Sequence, residues 1–422
     1  MKDKVIYIQN CRLCNSKDIS VVSKLEPTPI GDKFLRNKES ALSLEMHNNE
    51  IVLCKECGQI QLSEIIEPAQ VYDEDYLYTT DVSIGLPEHF MKSCEEITRR
   101  FELKRDNLVV EFGSNKGIML KAFQEKGMRV LGIEPATEVA KQAIEIGVET
   151  KIEFFTRPLA QSIAKEFGRA NIIIANNVIA NIPNLEEIAL SLVDLLDEKG
   201  IFIFETSYAI DVFESHLIDT IYHEHISYLA VKPLVAFFDK FGLKLFDAEQ
   251  IGTKGGSLRG FVSLKTNDIE TSDNVFNLIN LENNSGIYDL ILYKTFDLNL
   301  QDFKTNILNK IKTIKSFEED IVCYGASVGC TTMLYHFDMV KDVDYLIDDN
   351  PVKFGKYLPG STIEVFDSNI IYEKQKLKTL FVLAWRYIDS ICDKHTKFIE
   401  QGGKFLVLDL SKLTLVEYSN EK

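Results

Sequence analysis

The feature of this chain that most limits its fold is the way its hydrophobic period keeps changing. From about residue 91 to 265, short apolar runs (LVVEFG, RVLGIEP, NIIIANN, GIFIFET and later SLRGFVSLK) alternate with segments of helical period such as EHFMKSCEEITRRF. Runs without polar alternation suit strands buried on both faces, and the amphipathic segments between them suit covering helices. The expected class is therefore α/β: a largely parallel, Rossmann-like sheet with ligands at the carboxyl ends of its strands, and a late strand pair free to run antiparallel. A second block (DIVCYGAS, VDYLIDDNP, TLFVLAW, KFLVLDL) repeats the alternation and predicts a smaller Rossmann-like α/β domain over 316–422. Between the blocks, residues 266–315 are polar and helical in character and read as a helical linker.

The first 70 residues follow a different logic. They lack a long apolar period but carry Cys11-x-x-Cys14 and Cys54-x-x-Cys57. Each pair sets two thiolates on one tight turn, and two such knuckles close a tetrahedral Zn2+ site with every position filled. Four sulfur ligands leave no place for water, so the metal would be structural and its binding part of the module's folding. Buried free thiols or a redox dithiol are the alternatives, the latter disfavoured because neither pair sits at a strand-to-helix turn. Cys94, Cys323, Cys330 and Cys392 are unpaired in sequence and are expected in or near the core. Residues 71–90, aromatic and acidic, read as a connecting arm.

Composition matters mainly for what it excludes. A formal charge of −17 argues against an extended nucleic-acid surface, which needs clustered Lys and Arg. It leaves room for an anionic small molecule held by a few local cations. The first residues lack a secretory pattern and no stretch has the apolar length of a membrane span, so a cytoplasmic location without a membrane partner is expected.

LVVEFGSNKGIMLKAF runs from a buried strand into a helix, with Glu111, Gly113 and Gly117 in an E-x-G-x-x-x-G arrangement. Glycines there allow close backbone approach to a ligand at a helix N-terminus, although packing alone can also require them. The next strand ends in Glu134, where a carboxylate can accept from both hydroxyls of a ribose. An adenosine-bearing cofactor follows. Ser114 and Asn115 occupy the place where a dinucleotide's pyrophosphate needs a second glycine, which favours S-adenosylmethionine over a nicotinamide dinucleotide. Asn176 and Asn177 end the strand NIIIANN, where cofactor and substrate should meet; Asn176 is assigned to the cofactor and Asn177 to the substrate.

Taken in order, the cysteine module, EDYLY (74–78), EFGSNKG (111–117), LGIEPA (131–136), ANNVIANIPNL (175–185), YHEHISY (222–228), GGSLR (255–259), YGAS (324–327) and DDNPVKFGKYLPG (348–360) resemble the sugar C-methyltransferases of deoxysugar biosynthesis. The resemblance covers nearly the whole chain. It implies a zinc-binding N-terminal domain, a class I methyltransferase domain over 91–265 and a C-terminal Rossmann-like domain that helps enclose a nucleotide-linked 4-keto-6-deoxy sugar. It also implies methylation of the carbon beside the ketone, with C3 favoured over C5. Such chemistry needs a base, an enolate partner and a dry pocket. By resemblance His225 is the base, Glu224 and Tyr222 support it, and Tyr76 is a further contact at the site. Tyr78, Asn181 and His223 are likewise assigned to the substrate. Gly256, Ser257 and Arg259 form a turn with one cation suited to a phosphate or sugar hydroxyl, though an ordinary hairpin would have the same composition. A metal site at His223 and His225, only two residues apart, is the weaker alternative to acid–base work.

Two positions depart from the family. Asn181 stands where many relatives carry histidine, and an amide cannot exchange a proton at neutral pH. Lys116 stands where relatives commonly have an acid; it reads as a solvated charge or as a partner for the cofactor carboxylate. YGAS and Asp348-Asp349-Asn350 have the spacing of a nucleotide site, and equally that of a fold kept without its own cofactor. O- or N-methylation of another small molecule, and a non-catalytic cofactor-binding interaction protein, are the competing functions. A monomer is expected, with an oligomer also compatible.

Overall fold

The computed structural model describes residues 4–72, 79–80, 85–373 and 377–419, so Tyr76 and Tyr78 lie outside the described residues. The cysteine module is built on β1 (Val5–Tyr7), β2 (Ile19–Thr28), β3 (His47–Cys54), β4 (Ile60–Leu62) and β5 (Glu64–Ile66). β2, β3 and β4 are antiparallel neighbours, and β1 pairs with β5. The last four residues of β3 and all of β4 are buried, which is more than so small a unit could cover alone.

The main sheet contains β6 (Leu108–Phe112), β7 (Arg129–Ile133), β8 (Thr150–Lys151), β9 (Ala170–Asn176) and β10 (Leu196–Ser207). A two-residue strand, β11 (Ser227–Tyr228), then leaves this sheet and pairs with β4, so the cysteine module's sheet borrows its fourth strand from the chain just past YHEH. β12 (Leu243–Ile251) and β13 (Ser257–Leu264) close the main sheet in the order β12-β13-β10-β9-β6-β7-β8. β6 to β10 are mutually parallel and β13 is antiparallel to both its neighbours. All five residues of β6 are buried, as a continuous apolar run in a covered parallel sheet requires. Helix Leu86–Arg100 lays Leu86, Phe90, Ser93, Cys94 and Ile97 on one face against it, a helical spacing that leaves the opposite face to solvent. The chain passes from β6 to β7 on one side and later to β9 on the other, so a crevice opens at the carboxyl end of β6.

Helices Asp273–Ser285 and Leu290–Lys315 follow. The longer one buries Tyr293, Phe296, Leu300, Phe303, Ile307, Ile311 and Ile314, at steps of three and four, and so packs along one stripe of its surface. Glu282 of the shorter helix is fully buried, and its carboxylate accepts from the N–H groups of Val231 and Lys232 and the hydroxyls of Tyr208 and Tyr288. It thereby caps helix Val231–Lys240 from outside.

The last sheet holds β14 (Val322–Tyr324), β15 (Tyr345–Asp348), β16 (Val365–Asp367), β17 (Thr379–Val382), β18 (Lys404–Asp409) and β19 (Thr414–Tyr418), in the order β16-β15-β14-β17-β18-β19, with only β19 antiparallel. It meets the cysteine module directly. Lys353, buried, pairs with Asp32 at 2.5 Å, and Thr331 Oγ1 donates to the Gly31 carbonyl at 2.8 Å. Among the described residues no helix is long and apolar enough to cross a membrane.

Candidate active site

A cavity of about 410 Å³ opens at the carboxyl ends of β6, β7 and β9, within the range of small-molecule sites. Gly113, Asn115, Glu134 and Asn176 line one end. Gly113 has φ +65°, and a Cβ there would come within 2.2 Å of Val178, so the turn requires glycine on both counts. At the tip of β7 the Glu134 carboxylate accepts from the N–H of Asn115 and of Ala136, each at 2.9 Å. These bonds fix its orientation and leave lone pairs facing the cavity, which suits the two hydroxyls of a ribose. Burial raises its pKa, and the two backbone bonds partly offset that. The residues at this end thus fit the adenosine moiety of S-adenosylmethionine.

Three expected cofactor residues stand behind the wall instead of in it. Glu111 is buried beneath the turn, its carboxyl raised to about 8 by burial and held by Asn176 Nδ2 at 3.4 Å. Ser114 is buried with its Oγ directed at Gly132, and Gly117, φ +71°, packs on Val148 and Ala143 at the start of helix Ile118–Glu125. They shape the turn that Gly113 and Asn115 present.

Tyr222, Glu224 and His225 line the same cavity, as do Asn177 and Asn181. His225 Nδ1 lies 2.9 Å from the Thr220 carbonyl, which can only accept, so Nδ1 carries the proton and Nε2 the lone pair. The Tyr222 hydroxyl, 3.1 Å away, donates to that lone pair. Burial lowers the His225 pKa to about 4, the bond to Thr220 opposing and Lys254 reinforcing the shift, so the ring is neutral at physiological pH. Glu224 moves the other way. Burial raises it to about 8, with Asp32 adding to the rise and Lys353 and Lys254 opposing it, so a neutral carboxylic acid stands beside a neutral imidazole. Opposed shifts of this kind are what separate an acid from a base in one site.

Other expected contacts are turned away. His223 is buried and packs its ring edge-on against His47 of the cysteine module, 5.5 Å between centroids, so it is absent from the cavity wall. Arg259 is taken up internally: it pairs with Glu205 at 2.6 Å and Glu96 at 3.1 Å and donates to Ser93 at 2.7 Å. Burial alone would raise Glu205, but the hydrogen bond from His89 and the charge of Arg259 outweigh it and the carboxyl is lowered. A phosphate would have to compete with that buried carboxylate for Arg259. Ser257 is buried with its hydroxyl on the Thr253 carbonyl, and a Cβ at Gly256, φ +133°, would strike Asp211. The cation that does reach the cavity from this loop is Lys254. Asp32 and Tyr72 also line it, and no motif marks them. Asn181 Nδ2 donates to the Tyr72 hydroxyl at 2.8 Å, so the amide at the histidine position is committed to a phenol of the cysteine module.

In that module the Sγ atoms of Cys11, Cys14, Cys54 and Cys57 all lie within 4.8 Å of one another, with Cys11–Cys57 at 3.6 Å and Cys14–Cys54 at 3.5 Å. Tetrahedral zinc with bonds of about 2.3 Å sets sulfurs about 3.8 Å apart, so the four thiols fit a structural Zn2+. No other group of metal-ligating side chains occurs among the described residues, His223 and His225 included.

Three family models match the chain in succession. A family described as a zinc binding domain matches residues 11–72, a methyltransferase domain matches 88–248, and a C-methyltransferase C-terminal domain matches 252–408. The chain is 29% identical over 408 residues to the C-methyltransferase NovU of Streptomyces niveus, covering 96% of this chain and 97% of that protein. Among solved structures, the PH0226 protein of Pyrococcus horikoshii OT3 aligns with a TM-score of 0.36 at 15% identity over 44% of this chain and 94% of its own. The plantazolicin methyltransferase BpumL, in complex with SAH, aligns with 0.34 at 12% over 43% and 86%. With the three models in this order along one chain, and NovU alike over nearly its whole length, the protein is an S-adenosylmethionine-dependent methyltransferase with a match to a zinc-binding domain before the methyltransferase domain and to a C-methyltransferase C-terminal domain after it.

Proposed function

We propose that this enzyme methylates the carbon beside the ketone of a nucleotide-linked 4-keto-6-deoxy sugar, at C3. The observation that carries the reading is the neutral Tyr222–His225 pair and the protonated Glu224 in the same cavity as Gly113, Asn115 and Glu134. An acidified C–H needs an unprotonated base and a hydrogen-bond donor for the enolate oxygen, and these groups supply both. The relative NovU, named a C-methyltransferase, agrees with a carbon acceptor.

Gly113, Asn115, Glu134 and Asn176 would hold S-adenosylmethionine, whose chemistry when bound is an electrophilic methyl on a sulfonium. In the proposed course the Tyr222 hydroxyl turns from His225 to the ketone oxygen, which frees Nε2. His225 Nε2 then takes the proton from C3; the C–H pair becomes the enolate double bond and the carbonyl π pair moves to oxygen. Tyr222 and the neutral Glu224 donate to that oxygen. Lys254, with the amino end of helix Val328–His336 at the cavity wall, suits the negative charge of a diphosphate. Tyr76 and Tyr78 belong to the same proposal as substrate contacts.

The test is incubation of the purified protein with methyl-labelled S-adenosylmethionine and a panel of nucleotide-linked 4-keto-6-deoxy sugars, with products analysed by mass and NMR. The expected product carries a new carbon-bound methyl at C3. Cofactor binding with no methylated sugar across the panel would remove the sugar reading and turn attention to an O or N acceptor.

A further inference from the structure

The zinc knuckle reaches the proposed base through one side chain. Arg12 sits inside Cys11-x-x-Cys14, its N–H donating to Gln61 Oε1 at 3.1 Å, and its guanidinium leaves the module altogether. Nη2 donates to the Ile226 carbonyl and to Ser227 Oγ; Nη1 lies 3.4 Å from the Ile182 carbonyl. Ile226 directly follows His225, and Ile182 directly follows Asn181. One guanidinium therefore ties together the two loops that carry these cavity groups. Its planar, forked geometry allows it to span several acceptors, which a lysine ammonium cannot copy.

The surrounding bonds make the tie rigid. The Ile226 carbonyl also accepts from the Leu62 N–H at 3.1 Å, and β4–β11 pairing begins at the next residue. From the other side Lys240 Nζ donates to the Leu13 carbonyl at 3.3 Å, so a helix of the methyltransferase domain grips the same knuckle. Arg12 Nε is sealed from solvent.

We infer that Arg12 is a positioning residue: held by the zinc knuckle, it keeps the 181–182 and 225–227 loops in register so that His225 stays enclosed against Thr220 and Tyr222. The inference rests on the reading of His225 as the base. Its readout below is the imidazole itself and not turnover, so its failure leaves that reading standing.

The experiment uses the full-length zinc-loaded protein, with ¹⁵N-histidine labelling and His225→Asn to assign the resonance. In the parent, His225 should titrate near 4, far below the ordinary imidazole value of 6.5. In Arg12→Met the midpoint should move up towards 6.5 with one zinc per chain retained, and amide exchange over 181–183 and 222–228 should quicken by roughly tenfold while the rest of the main sheet is unchanged. Retained zinc with an unmoved midpoint and unchanged exchange would overturn the inference. Should Arg12→Met lose its metal, Ser227→Ala, which removes one acceptor of the guanidinium and changes no residue of the knuckle, decides: a smaller shift in the same direction supports the tie, and none overturns it.

Discussion

At the scale of single residues, burial does most of the chemistry in this cavity, and it does so in opposite directions on adjacent side chains. Desolvation penalises whichever form is charged, so His225 loses basicity while Glu224 gains it. Between about pH 4 and 8 both are neutral, the state in which one can accept a proton and the other can donate a hydrogen bond. Turnover should therefore fall as pH rises through about 8, where Glu224 ionises. Glu224→Gln keeps an N–H donor without the ionisation, so its rate profile should lose that limb while the rate at pH 7 stays within roughly tenfold of the parent. An unchanged limb in the variant would assign the ionisation to another group. His225→Asn should leave S-adenosylmethionine affinity intact by calorimetry and lower turnover by about 10²- to 10⁴-fold. Full turnover would remove His225 from the base role.

At the scale of elements, strand pairing decides what a side chain can do, and that is where reading from sequence succeeds and stops. The parallel strands are visible as continuous apolar runs such as Ile172, Ile173 and Ile174, and Glu134 is visible as the acid that ends the second of them. YHEH marks three cavity residues. The aim of Arg259 is left open between ligand and hairpin because Gly-Gly-Ser-Leu-Arg announces a turn without its direction. Only the β10–β13 register, which sets Glu205 opposite Arg259, turns the guanidinium inward. Asp32, Tyr72 and Lys254 leave no local signature, since each comes from a loop and they converge only when the cysteine module meets the main sheet. β11 is too short for any periodicity to declare it. The inward placement of Arg259 is itself testable. Arg259→Met leaves Glu205 buried without its cation and should cost about 3 kcal/mol in urea unfolding, yet change the KM for the nucleotide-linked sugar by less than about twofold. A large rise in that KM with unaltered stability would return Arg259 to the substrate site.

At the scale of the whole molecule, the cysteine module is a wall of the cavity as well as a neighbour of it. It contributes Asp32 and Tyr72, holds Asn181 through the Tyr72 hydroxyl, and pairs β4 with the strand that leaves YHEH. A unit of this size has little core of its own, whereas a four-thiolate zinc site is worth on the order of 10 to 16 kcal/mol of folding free energy. Metal and module should therefore be lost together. Among the described residues the cofactor end is built from the main sheet through Gly113, Asn115, Glu134 and Asn176, with the N–H of Thr80 in the preceding arm donating to Asn115 Oδ1 at 3.0 Å. Stripping zinc with a strong chelator should accordingly release one zinc per chain by atomic absorption and reduce the strand signal in circular dichroism. Turnover should be abolished, while S-adenosylmethionine affinity in equilibrium dialysis stays within roughly tenfold of the zinc-loaded enzyme. Turnover that survived complete removal of the metal would make the module a bystander to the site. Loss of cofactor binding along with turnover would instead mean that the main sheet depends on the module for its own fold, and that the contacts through β11 and Lys240 support more than the YHEH loop.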